Sequence, residues 1–129
     1  MMRKLRVAAA LVIVFAEEAA AQDVTSGANV FKQCAICHAI GAGAQNKIGP
    51  ELNGLDGRHS GSAVNYNYSD ANKNSGIVWN ETTFKQYIAK PQAMIPGTKM
   101  PFAGLKDPQQ INDLWAYIAQ FNANGGIKN

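Results

Sequence analysis

Hydrophobic residues are distributed along this chain in three different ways. Residues 7–16, VAAALVIVFA, form an unbroken apolar run behind the basic MMRKLR. Ten apolar residues fall short of the roughly 20 that cross a bilayer. With Ala19-Ala20-Ala21 before Gln22, the pattern predicts a cleaved secretory signal peptide over residues 1–21. From Gln22 to Gln33 the spacing predicts a short helix capped by Thr25 or Ser26. Between Ala39 and Tyr68 no period survives among the Gly, Asn and Ser residues, so this stretch reads as loop. Ser69 and Asp70 predict a second helix start, and Asn80 a third. Behind Asn80, Phe84, Tyr87 and Ile88 fall on one face until Pro91 ends the helix. An extended Pro- and Gly-punctuated stretch, PQAMIPGTKMPFAG, follows. The last helix is capped by Asp107 with Pro108 at its first position, and Ile111, Leu114, Trp115, Ile118 and Phe121 recur at 3–4 spacing. Asn124-Gly125-Gly126 ends it, and the terminal residues are expected to be disordered.

A mainly α fold with long loops follows, in one domain over residues 22–129, since 129 residues leave little room for a second. Some 30 residues of irregular chain are uncommon in a compact domain unless the chain wraps a large ligand that supplies the missing packing surface. Charge changes the picture little. The chain holds 12 Lys and Arg against 9 Asp and Glu, and residues 22–129 carry a net charge of only +2. There is no basic cluster, which argues against nucleic acid as a partner.

The two cysteines change it a great deal. They stand in CAICH, at Cys34 and Cys37, with His38 directly behind. A disulfide between residues so close would restrain almost nothing in the unfolded chain. A dithiol redox site of the thioredoxin kind wants a βαβ setting that this pattern lacks, and a zinc site needs four ligands where only His59 remains to join these three. C-x-x-C-H is the signature of covalent haem attachment: two thiols on one turn form thioethers with the two vinyl groups, and the histidine is carried beneath the iron. The iron's sixth position then decides the function class. Left open, it would make a haem enzyme or a gas-binding sensor; filled by a thioether, it suits electron transfer. Beyond the leader the candidates are Met100, in the extended GTKMPF, Met94, placed where a core gap-filler is expected, and His59 in an exposed turn. Met100 is favoured.

These segments together resemble the class I cytochromes c, both the mitochondrial proteins and their soluble relatives in purple bacteria. The match is carried by CAICH, GPELNGLDGR, NYNYSDANKNSGIVW and YIAKPQAMIPGTKMPFAGL. The resemblance implies a small cytochrome c fold, three to five helices and long loops wrapped round one covalent haem c. Cys34 and Cys37 would supply the thioethers, His38 and Met100 the axial ligands. The Pro50 carbonyl would hold the other nitrogen of His38. Arg58, Tyr68 and Trp79 match positions that hold a haem propionate; Tyr87, Thr98 and Asn72 match a polar group near the methionine. Gly27 and Phe31 match the crossing of the first helix with Leu114 and Tyr117 of the last.

The same resemblance implies a monomeric periplasmic electron carrier that docks only transiently at membrane surfaces. Its donor would be a cytochrome bc complex, its acceptor a terminal oxidase or a photosynthetic reaction centre. Docking lysines survive at Lys47, Lys99 and Lys106, with Lys32 and Lys90 nearby, but Gln33, Gln92 and Asp107 stand where the family has further lysines. The thinned ring implies weaker electrostatic steering. Asp56 replaces a residue that is usually apolar.

Overall fold

The computed structural model describes residues 2, 7–14 and 22–129. The basic residues Arg3, Lys4 and Arg6 and the expected cleavage site at Ala21 lie outside the described residues. Residues 7–14 carry no helix, and Val7, Leu11, Val12, Ile13 and Val14 are exposed. Among the described residues no helix is long and apolar enough to cross a membrane.

Five helices organise the described residues: α1 (Val24–Phe31), α2 (Asp70–Lys73), α3 (Glu81–Ala89), α4 (Pro91–Met94) and α5 (Pro108–Ala119). Strand pairing among the described residues is limited to two isolated bridges, His59 with Val78 and Phe121 with Ile127. The caps show why the helices begin where they do. Asp23, rather than Thr25 or Ser26, caps α1, accepting from the Ser26 N–H at 3.0 Å. Ser69 caps α2. Asn80 and Thr83 form a reciprocal capping box on α3, each side chain accepting from the other's backbone N–H at 2.9 Å. Asp107 caps α5, with Pro108 at the first position.

Pro91 behaves differently from the expectation. It ends α3 and also opens α4, because a missing N–H costs nothing in a first turn. PQAM is therefore helical, and from Ile95 the chain makes a turn, closed by the Thr98 N–H to the Ile95 carbonyl at 3.0 Å, before it runs on without regular structure.

The helices meet where α1 crosses α5. Gly27 makes this possible: a methyl there would overlap the carbonyl of Asp113, so the backbones touch directly. Phe31 packs on Tyr117 with ring centroids 5.3 Å apart. Asp113 is buried at the crossing, where its carboxylate accepts from the Asp23 N–H at 3.0 Å and from Gln109 Nε2 at 2.8 Å. Both bonds end on Oδ1, and no buried side-chain polar atom among the described residues is left without a partner. The core beneath comprises Phe31, Leu55, Trp79, Phe84, Tyr87, Ile88, Ile95, Leu105, Ile111, Leu114, Trp115 and Ile118. Leu114 and Ile118 are about 1 % exposed.

The long 39–68 loop is as irregular as expected and holds itself by polar contacts. Buried Asn53 accepts from the Gly41 N–H at 2.7 Å and donates to the Gly41 carbonyl at 2.9 Å.

At the C-terminus, where the sequence pattern reads as a tail, backbone hydrogen bonds return the chain to the end of α5. The last helix ends at Ala119, and the chain folds back so that the Asn122 N–H donates to the Gly126 carbonyl at 2.7 Å and the Lys128 N–H to that of Gln120 at 2.8 Å. Lys128 Nζ then reaches Asp56 at 3.7 Å, which gives Asp56 a partner.

Candidate functional site

The motif grows out of α1. After Phe31 the chain continues in turns: the Cys34 and Ala35 N–H groups both donate to the Phe31 carbonyl, and the His38 N–H donates to that of Cys34 at 2.9 Å. One turn of backbone therefore carries both thiols and the imidazole. Returning from the loop, the Gly49 N–H donates to the Cys37 carbonyl at 2.7 Å and closes the segment. Gly49 lies flat against the imidazole, and a methyl on it would overlap His38 Cε1.

His38 Nδ1 donates to the Pro50 carbonyl at 2.7 Å. An acceptor-only partner places the proton on Nδ1, so the lone pair is left on Nε2. Burial pushes the His38 pKa down, against the opposing pull of the Pro50 bond, so the ring is held neutral and able to coordinate. Burial, followed by the neighbouring Cys37, pushes the Cys34 thiol up to about 11. Such a thiol is protonated at neutral pH and is a poor dithiol nucleophile.

A cavity of about 450 Å³ opens between the motif and the rest of the chain. Cys34, Cys37 and His38 line it, as does Met100. Its remaining walls are mostly apolar, with Leu52, Leu55, Trp79, Phe84, Phe102 and Leu114 among them. Met94 does not line this cavity; it packs at the end of α4 beside Leu105 and Lys106, where it fills space. His59 is exposed and outside the cavity.

Met100 is held by its neighbours. The Tyr87 hydroxyl donates to its sulfur at 3.3 Å and shares a 3.2 Å hydrogen bond with Thr98 Oγ1. Thr98 Oγ1 also accepts the Met100 N–H, and Gln92 Nε2 donates to the Met100 carbonyl at 2.6 Å. Asn72 lines the cavity but does not join this group. Its side-chain oxygen instead accepts from Ser69 Oγ at 3.2 Å, because that residue is the cap of its own helix.

Arg58, Tyr68 and Trp79 all line the cavity too. Trp79 packs edge-on to Tyr87 at 5.0 Å, and the Tyr68 hydroxyl accepts the Ala63 N–H at 2.9 Å. Arg58 has a partner that the sequence did not suggest, the carboxylate of Glu51 at 3.1 Å. The three docking lysines are exposed, yet each ammonium is tethered to a carbonyl: Lys47 to Ala35 at 2.6 Å, Lys99 to Asn67 at 2.9 Å, and Lys106 to Ala89.

Two thiols, a neutral imidazole with a free Nε2 and a thioether thus border one apolar cavity. This donor set fits a haem held by thioethers and ligated by nitrogen and sulfur. The grouping does not resemble an all-protein metal site, and none of three or more His, Cys, Asp or Glu is found among the described residues.

Comparison with known proteins agrees with the geometry. The family model for cytochrome c matches residues 24–122. Cytochrome c2 of Blastochloris viridis is 59 % identical over 127 residues, covering 98 % of this chain and all of the relative. Cytochrome c-550 of Bradyrhizobium diazoefficiens is 61 % identical over 103 residues, covering 80 % of this chain and 76 % of its own. Among solved structures, cytochrome cH from Methylobacterium extorquens superposes with a TM-score of 0.70 at 39 % identity, over 74 % of this chain and 96 % of that one. The chain therefore belongs to the cytochrome c family, a monohaem electron carrier with haem c bound covalently and no enzyme.

Proposed function

We propose that this chain is a periplasmic shuttle whose iron stays closed to substrates. In this reading Cys34 and Cys37 form the thioethers, and His38 and Met100 are the axial ligands. The haem supplies one-electron chemistry at the iron; the chain's residues fix its surroundings. Pro50 orients the imidazole and raises its basicity through Nδ1. Tyr87 and Thr98 hold the thioether in place. Arg58, Tyr68 and Trp79 line the wall assigned to a propionate, and Asn72 lines the same cavity. Leu52, Leu55 and Leu114 exclude water, which limits reorganisation when the charge changes.

Exposed Lys47, Lys99 and Lys106 form the docking face. Partners are redox complexes, with a cytochrome bc complex as donor and a terminal oxidase or photosynthetic reaction centre as acceptor. Interfaces of this kind are small, below about 1,200 Å², which suits rapid release of a monomeric carrier. Residues 1–21 act as the export signal. The Blastochloris viridis relative supports this: an alignment of 127 residues extends beyond the 108 of the domain and into the leader.

One observation carries the closed-iron reading. Met100, and not Met94, shares the cavity with His38, its sulfur fixed by a hydroxyl. The test is azide binding to the ferric protein and carbon monoxide binding to the ferrous protein. Met100→Ala is expected to bind both at least tenfold more tightly than wild type, while Met94→Ala behaves as wild type. Equal ligand affinity in Met100→Ala and wild type would mean that another group, or none, fills the sixth position.

A further inference from the structure

Arg58 has an internal counter-ion on the same loop that orients the imidazole. Nη1 of Arg58 donates to Glu51 Oε1 at 3.1 Å and to the Asn53 carbonyl at 3.1 Å, while Nη2 donates to the Glu51 carbonyl at 2.8 Å. The other carboxylate oxygen, Oε2, accepts the Asn53 N–H at 2.7 Å. Glu51 follows Pro50, and its own N–H donates to Asn46 Oδ1 at 3.0 Å, so both ends of the residue are fixed. The pair is largely withdrawn from water: the side chains of Arg58 and Glu51 are 15 % and 24 % exposed. Arg58 borders the cavity; Glu51 stands behind it and does not. Their charges reach the cavity wall with opposite effects, for Tyr68 beside them feels Arg58 and Glu51 in opposing directions.

We propose that Glu51 tunes the reduction potential, cancelling much of the Arg58 charge that would otherwise favour ferrous iron. The inference rests on the reading that Arg58 faces the haem. Ferric iron carries one more positive charge than ferrous iron, so a cation in the wall favours the reduced state and an anion beside it opposes that. Partly buried charges are screened much less than surface ones, so the effect persists in ordinary salt. The other cation near this end of the site, Lys47, is exposed and therefore screened. Glu51 is a positioning residue: it touches Arg58 and the loop, and it acts on the iron through charge.

Equilibrium redox titration of the full-length holoprotein tests this. Glu51→Gln keeps the hydrogen-bonding shape and loses the charge. At a fixed ambient potential its ferrous-to-ferric ratio should rise about threefold over wild type, or about 28 mV at the one-electron constant of 59 mV per tenfold. Arg58→Gln should move the ratio in the opposite direction, and Glu51→Asp should stay closer to wild type than to Glu51→Gln. If Arg58→Gln shifts the potential but Glu51→Gln does not, Glu51 only braces the loop and the proposal is overturned. Equal shifts in Glu51→Asp and Glu51→Gln would overturn it too, since geometry and not charge would then be responsible. A potential unmoved by Arg58→Gln would instead remove the underlying reading that Arg58 faces the haem, and the proposal with it. Should Glu51→Gln fail to fold, the Glu51→Gln/Arg58→Gln double variant exchanges a neutral pair for a neutral pair. Its potential is expected near wild type, and a shift as large as that of Arg58→Gln alone would contradict the proposal.

Discussion

At the scale of single residues, the site is governed by what lies behind each donor. Tyr87 places a hydroxyl 3.3 Å from the Met100 sulfur. With Met100 as the proposed axial ligand, a donor there withdraws electron density from the thioether and disfavours ferric iron. Tyr87→Phe keeps the ring against Trp79 and removes the donor. Its ferrous-to-ferric ratio at fixed potential should fall about threefold, read by redox titration; a rise would mean the hydroxyl points elsewhere in solution. Gly49 works by leaving room. Gly49→Ala pushes a methyl into the His38 ring and should cost about 1–3 kcal/mol in chemical denaturation. That Met100 and not Met94 lines the cavity was legible from sequence, because a Gly- and Pro-bounded segment can present a side chain freely. The Glu51–Arg58 pair was not legible: the two are seven positions apart in an aperiodic loop, and only the path of that loop brings them together.

Elements follow from caps more than from intrinsic propensity. The starts at Asn80 and Asp107 were readable because one side chain at each could reach the free N–H groups. At α1 the sequence pattern pointed to Thr25 or Ser26 and missed Asp23, whose carboxylate is the one that reaches the Ser26 N–H. Pro91 was read as a terminator and proved also to be a first-turn residue, a role the same ring satisfies equally well. Asn80→Ala should cost about 1 kcal/mol in chemical denaturation, since it removes the acceptor of the Thr83 N–H while the Asn80 N–H keeps its bond to Thr83 Oγ1. The α1–α5 crossing is less forgiving. Gly27→Ala forces the helices apart at the Asp113 carbonyl, and a loss of about 2–3 kcal/mol in thermal or denaturant unfolding is expected. A loss below half a kcal/mol would show that the two backbones do not touch as described.

For the molecule as a whole, the haem resolves how so much irregular backbone can be ordered. Some walls of the 450 Å³ cavity touch directly, as Trp79 and Tyr87 do, and the others face an apolar space that the haem would fill. Without a haem the apolar lining is left facing water, and its burial no longer contributes to a stability that is small in any domain. Cys34→Ala with Cys37→Ala should therefore yield a largely unfolded chain by far-UV circular dichroism, whereas a compact helical double variant would mean that the protein core suffices. The 30-residue loop was itself the clue to a large ligand, whereas the fold-back after α5 was not readable, because Gly-rich ends read as tails until the Phe121–Ile127 bridge is in view. The most direct measurement is the visible spectrum of the purified native protein, reduced, before and after carbon monoxide. An iron gripped between His38 and Met100 predicts a red protein whose low-spin spectrum does not change on adding the gas. A spectrum that shifts to that of a carbon monoxide adduct would contradict it.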